Sequence, residues 1–385
     1  MDFDFSAVLG RMVEARASDV HLTAGFPPAM RTKGKIGPME GFPVLSTQHT
    51  RDVVFSILND DQRKRFENNL QLDFAYAIPG VARFRVNCFF QRGAVSAAFR
   101  LVPQEIPALD SLNVPQVLRE FAAKPRGFVL VTGPTGSGKS TTLAAIIDLI
   151  NAGNQDHILT IEDPIEFLHQ HKKSIVNQRE VGSDVPDFAL GLRAALREDP
   201  DVILVGEMRD LETMATALTA AETGHLVFAT LHTQSTSQTV DRIIDVFPPE
   251  QQAQVRTQLS IALQGIVTQQ LLPTADGTGR VVACEVLVPT PAIRNLIREG
   301  KTHQIYAAVQ TSGAVGMQTM DADLVRLVRA GKITRTLAEQ RASVPEELKR
   351  LLGGAAGVAP GADFGGNGLP PAAQQAPPAY VQPGA

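Results

Sequence analysis

Tryptophan is absent from the 385 residues, tyrosine occurs three times, and aromatics make up only 5% of the chain. Proteins that track single-stranded nucleic acid stack bases on aromatic side chains set among basic ones. Here 36 Lys and Arg face 40 Asp and Glu, a formal net charge of -4, so no nucleic-acid partner is expected. Cysteine is nearly absent too. Cys88 and Cys284 each sit in an apolar, strand-like run and read as core residues. That excludes a disulfide framework and a four-cysteine zinc cluster. No apolar run approaches the ~20 residues that span a bilayer, so no membrane span is expected. The start, Met1-Asp2-Phe3-Asp4-Phe5, is acidic and lacks the order of a secretory leader. The expectation is a soluble, cytoplasmic protein whose membrane attachment, if any, comes through a partner.

What is present is organised around Gly133-Pro134-Thr135-Gly136-Ser137-Gly138-Lys139-Ser140-Thr141. This fits the phosphate-binding pattern G-x-x-x-x-G-K-[ST]. An apolar run, Phe128 to Val131, precedes it and reads as a buried strand; Thr142 to Ile150 follows and reads as a helix. The glycines let backbone N–H groups turn inward toward phosphate oxygens, and a helix N-terminus adds partial positive charge. Lys139 would reach the β- and γ-phosphates of ATP, and Ser140 would hold Mg²⁺.

The length predicts about two to three domains. Residues 1–102 alternate short helical and strand signals and read as a small α+β domain, with turns at Pro79-Gly80 and Arg92-Gly93. Residues 103–122 read as linker and lead-in, with a hinge near Pro103. Residues 123–289 hold short apolar runs at Phe128–Val131, Ile158–Ile161, Val202–Val205 and Leu226–Ala229, separated by helical stretches. That is the layout of a doubly wound α/β domain, with ligands at the strand C-terminal ends. Residues 290–352 turn helical, and residues 353–385, almost all Gly, Ala, Pro and Gln, are expected to be disordered.

Four further stretches carry candidate chemistry. Thr160 to Glu166 places Glu162, Asp163 and Glu166 at a strand end, either as a capped turn or as carboxylates for the Mg²⁺ shell and the attacking water. The run Val202–Val205 ends in Gly206-Glu207 where a simple P-loop enzyme has Asp. Glu207 therefore either polarises the attacking water or organises the metal shell, with Arg209 close behind. His225 and His232 flank one strand; they are a poor metal pair without a third ligand and suit hydrogen bonding near the γ-phosphate better. In Arg83-Phe84-Arg85-Val86-Asn87, strand alternation puts both arginines on one face, with Arg100 on the next strand. Such a row is a solvated face or a set of arginine fingers.

In this order the boxes resemble those of the secretion-superfamily ATPases, and within them the twitching-motility branch, the type IV pilus retraction motors. The narrower resemblance rests on Ser18-Asp19-Val20-His21-Leu22, on Ala82 to Asn87, on Ala292-Ile293-Arg294-Asn295-Leu296-Ile297, and on Gly316-Met317-Gln318-Thr319-Met320. By periodicity alone 292–297 is an amphipathic helix; the resemblance links it to retraction. The resemblance implies a RecA-like P-loop domain, a smaller PAS-like first domain and a helical C-terminal part. It further implies a homohexamer in which ATP and Mg²⁺ lie between the two domains. Arg83, Arg85 and Arg100 would close that site in cis or in trans. The motor would lie at the inner face of the cytoplasmic membrane, below a platform protein. An accessory retraction ATPase working beside a paralogous motor, or another type II/IV secretion-type assembly ATPase, is the alternative.

Overall fold

The computed structural model describes residues 3–353, apart from 33, 79, 80 and 104. The expected Pro79-Gly80 turn and the tail beyond Gly353 lie outside the described residues.

The first unit runs α1 (Phe5–Glu14), β1 (Asp19–Leu22), β2 (Ala29–Thr32), β3 (Lys35–Pro38), α2 (Thr47–Ile57), α3 (Asp60–Asn69), β4 (Gln71–Ile78), β5 (Ala82–Gln91) and β6 (Ala94–Val102). Short polar residues start its helices. Asp4 accepts from Ala7 N–H, while Ser46 with His49 and Asn59 with Gln62 form reciprocal capping pairs. The strands form an antiparallel sheet in the order β3-β2-β1-β6-β5-β4. Phe84, Val86, Cys88, Val95 and Phe99 bury against Val8, Leu9, Met12, Val54 and Phe66. The opposite face keeps Arg85 and Arg100 exposed, as period-2 alternation predicts. β2 and β3 escape sequence reading because they are short and half exposed, so no inside–outside contrast marks them.

The second unit continues with α4 (Val117–Ala122), β7 (Gly127–Thr132), α5 (Lys139–Gly153), β8 (His157–Glu162), β9 (Ile175–Glu180), α6 (Phe188–Ala195), β10 (Val202–Val205), α7 (Leu211–Glu222), β11 (Leu226–Leu231), α8 (Thr236–Asp245), α9 (Pro249–Ala262), β12 (Leu263–Pro273) and β13 (Arg280–Leu287). Its sheet order is β13-β12-β7-β11-β10-β8-β9, parallel except for the β12–β13 hairpin. Every residue of β7, β10 and β11 is buried, which explains their unbroken apolar runs. β12 has no such run. Its Thr268 and Gln269 are fully buried yet polar, and they bond to Thr132 and Thr142 instead. The lead-in segment is core rather than linker at its end: Leu118 and Phe121 pack with Val129, Val131 and Val267.

α10 (Pro291–Arg298), α11 (Ile305–Thr311), α12 (Met320–Arg329), α13 (Arg335–Arg341) and α14 (Pro345–Gly353) complete the described residues. The expected change of domain at 289/290 is not a break in packing. Ile293, Ile297, Ile305 and Val309 enter the same core as Leu259 and Leu263, whereas Leu324, Ala338 and Leu348 form a separate cluster with Leu272 and Val281. Among the described residues no helix is long and apolar enough to cross a membrane.

Glycine 265 tests this packing. A Cβ there would stand 2.3 Å from the Phe121 ring, where the β12 register shifts. Gly265→Ala is expected to cost about 1–3 kcal/mol by overpacking. Gly10→Ala, inside α1 with open space around it, is expected to stabilise by about 0.5–1 kcal/mol. Urea unfolding of both variants checks the opposite signs; equal midpoints would refute the Phe121 contact.

Candidate functional site

The loop after β7 begins at Gly133, whose φ is +136°. A Cβ there would meet the Gln269 carbonyl oxygen at 2.3 Å and Ser137 Oγ at 2.7 Å, so only glycine lets the chain pass. Gly136 and Gly138 also take positive φ, and Gly138 caps α5 in the left-handed conformation. α5 therefore starts at Lys139 with its N-terminus aimed into the loop. Lys139 Nζ donates to the carbonyls of Gly133 at 2.8 Å and Pro134 at 3.1 Å. Burial pulls its pKa below the usual lysine range, against the opposing pull of Glu207. Ser137 Oγ is buried without a hydrogen-bond partner among the described residues. Beneath the loop, Gln269 Nε2 donates to Thr142 Oγ1 at 2.8 Å.

The neighbouring strand ends bring in the acids. Glu162, at the end of β8, is buried and accepts from Thr160 Oγ1 at 2.7 Å and Gln178 Nε2 at 3.2 Å; burial pushes its carboxyl up despite those bonds. Asp163 and Glu166 follow, exposed on the same rim. Gly206 packs its α-carbon side against Glu162, where a Cβ would sit 3.2 Å from the Glu162 Cα. Glu207 then leans out over the cleft. Its Oε1 lies 3.0 Å from His232 Nε2, and its Oε2 accepts from Arg209 Nη2 at 2.7 Å. Burial pushes the Glu207 carboxyl up, but the Arg209 bond and the charges of His232 and Arg209 outweigh it and hold the group below its ordinary range.

The first domain closes the other side. Arg85 and Arg100 line the same cleft of about 630 Å³ as Thr135, Gly136, Lys139 to Thr141 and Glu207. Arg100 Nε donates to Asp19 at 2.8 Å; Arg85 has no ion-pair partner among the described residues. Arg83 is placed differently. Its Nη2 lies 2.8 Å from Glu180 Oε2, an ion pair between the first domain and β9 of the same chain, and it does not line the cleft.

One of the two histidines lands elsewhere. His225 stands at the start of β11, at the far end of the sheet from Lys139, with Nδ1 3.0 Å from Ala220 O at the C-terminus of α7. A role near a γ-phosphate does not fit that place; the strand's length separates the two histidines, and only His232 reaches the cleft. The 292–297 helix, linked to retraction by resemblance, does not line the cleft. Ile293 and Ile297 are buried, Leu296 packs partly, and Ala292 and Asn295 face solvent. Arg294 donates to the carbonyls of Ser260 and Ile261 at the end of α9. Sequence reasoning missed Gln178, Glu180 and the cleft-lining His169, whose pKa burial lowers to about 4. The β9 pair lies on a strand of mixed burial that no pattern marked.

A parallel sheet with this loop after β7, a further strand between β7 and β10, and a carboxylate after β10 defines a RecA-like P-loop nucleotide hydrolase. The Type II/IV secretion system protein family matches residues 82–339. The chain is 52% identical over 345 residues to the type IV pilus retraction ATPase PilT of Pseudomonas aeruginosa, covering 90% of this chain and all of that one. It is 43% identical over 349 residues to the type IV pilus ATPase PilU of the same organism, covering 91% of each. A crystal structure of the pilus retraction motor PilT with bound ADP superposes with a TM-score of 0.85 at 52% identity, covering 90% of this chain and 99% of that one. The chain belongs to the Type II/IV secretion system protein family.

The Glu207 cluster predicts a pH response. Arg209→Gln removes a partner that favours the charged carboxylate, so the Glu207 pKa rises. The acid limb of ATP hydrolysis is expected to move to higher pH. Rate–pH profiles of parent and variant check this; an unmoved limb assigns it to another group.

Proposed function

We propose that this chain is an ATP-hydrolysing motor that drives type IV pilus retraction and twitching motility. The observation that carries the reading is one cleft where Lys139 and the Glu207–His232 pair face Arg85 and Arg100 of the other domain. The higher identity to PilT than to PilU favours the motor over the accessory role. A paralogous retraction ATPase remains a natural partner for it.

The residues fit a nucleoside triphosphate. The Gly133 cradle admits no side chain, Ser137 Oγ is buried with no hydrogen-bond partner among the described residues, and α5 presents its N-terminal N–H groups. Residues Gly133 to Thr141 hold the phosphates, with Lys139 as the counter-charge. Ser140 together with Glu162 or Glu207 offers oxygen donors of the kind Mg²⁺ takes, and the ion would neutralise phosphate charge there. Glu207 orients the attacking water or organises the metal shell, and His232 and Arg209 hold its carboxylate in place. Glu166 and Asp163 add negative charge at the rim. Arg85 and Arg100 stabilise charge on the transferring phosphoryl group, and Arg83 ties the first domain to β9. Rotation of the first domain about the Pro103 region converts the nucleotide state into movement. The working form is a homohexamer in the cytoplasm, held at the inner face of the membrane by a platform protein.

Glu207→Gln is expected to lower kcat by about 100-fold or more while ADP affinity stays within about threefold. Parental turnover by the variant would overturn the assignment. ATPase rate per subunit is expected to rise with protein concentration as a six-subunit species forms in mass measurements. A monomer at full rate would refute the ring.

A further inference from the structure

The apolar run of β13, Val281-Val282-Ala283-Cys284-Glu285-Val286-Leu287, carries an acid in its middle. Glu285 is 3% exposed. A carboxyl buried so deeply is costly unless specific donors meet it. Its Oε1 accepts from the Thr236 backbone N–H at 2.7 Å. Thr236 is itself buried and is the first residue of α8. The first N–H groups of a helix have no partner within it. Ser235 caps one of them, through Gln238 N–H, and Glu285 takes the one at Thr236. Its other oxygen, Oε2, is buried with no hydrogen-bond partner among the described residues. The Thr236 bond thus places this buried side chain at the N-terminus of α8, where partial positive charge favours a carboxylate.

The neighbouring acids are engaged elsewhere. Asp323 accepts from Cys284 N–H at 2.8 Å and from Arg326. Asp321 accepts from the N–H groups of Ser343 and Val344, both at 2.9 Å, and from Tyr306 at 3.4 Å. Only Glu285 among these reaches α8. Three residues separate Thr236 from His232, and that loop is stitched to the helix by Thr233 Oγ1 and Thr239 Oγ1 at 2.6 Å. His232 therefore sits in the short link between the end of β11 and the α8 N-terminus, with its imidazole 3.0 Å from Glu207.

We propose that Glu285 is a positioning residue for ATP hydrolysis: by anchoring the N-terminus of α8 it holds His232 against Glu207. This rests on the reading of Glu207 and His232 given above. Glu285 touches neither nucleotide nor reacting atoms, so its loss affects turnover more than binding.

The test compares Glu285→Ala, Glu285→Gln and Thr236→Pro with His232→Ala, measuring kcat for ATP and equilibrium binding of ADP. Thr236→Pro deletes the backbone donor, and the hydroxyl with it, while the Glu285 carboxyl stays in place. Proline suits the first helical position, and Ser235 already has the extended backbone (φ −146°, ψ 161°) that a following proline requires. Glu285→Ala and Thr236→Pro are expected to lose about tenfold in kcat with ADP binding within about twofold. Glu285→Gln, which keeps the acceptor, is expected to stay within about twofold of the parent. If the alanine variant does not fold, Thr236→Pro decides. A folded Thr236→Pro at parental kcat overturns the proposal, as does a loss of ADP binding parallel to the loss of kcat. Parental kcat in His232→Ala removes the premise itself, and so separates failure of the site reading from failure of the Glu285 role.

Discussion

The site depends on the passage of the chain over Gly133, pressed against the Gln269 carbonyl. That contact brings the loop after β7 onto β12 and turns α5 so that its first N–H groups point into the cleft. The polar residues below are part of the same device. Thr132, Thr142, Thr268 and Gln269 satisfy one another in the interior, giving the loop a floor that an apolar strand could not bond to. Buried polar groups arranged this way are costly if one partner is lost and rigid when all are met.

On that floor the charges are set in opposition. Burial makes Lys139 easier to deprotonate and Glu162 harder to ionise, while Arg209 and His232 keep Glu207 charged. The two acids thus differ by environment rather than by residue type, which is how one cleft can hold a charged carboxylate beside one pushed toward its neutral form. The first domain contributes arginines of unequal freedom. Arg85 and Arg100 face the cleft, and Arg83 is committed to Glu180. Glu180 also accepts from Ile165 N–H at 3.1 Å, so the interdomain ion pair touches the acidic segment between Glu162 and Glu166. A motion of the first domain would be felt there directly.

The C-terminal helices divide between two jobs. α10 and α11 complete the core beneath the ATPase sheet, and Arg294 caps the end of α9. α12 to α14 cover the hairpin of β12 and β13 through a cluster of their own. β13 meets both: Asp323 of α12 accepts from its Cys284 backbone N–H, and its own Glu285 reaches α8.

The sequence by itself determined the nucleotide loop, the four buried parallel strands and the helices that follow them, because glycine spacing and apolar periodicity are local properties. Glu207 was legible for the same reason, as the first carboxylate after an unbroken apolar run. The tertiary structure alone decided which histidine reaches the cleft, since β11 holds His225 and His232 at opposite ends of one strand. It alone decided that Arg83 binds Glu180, 97 residues away, while Arg85 and Arg100 face the nucleotide loop. β9, β12 and Glu285 were hidden because their partners lie far along the chain. A buried Gln or Glu looks like a misplaced surface residue until the strand or helix end that bonds to it is folded beside it.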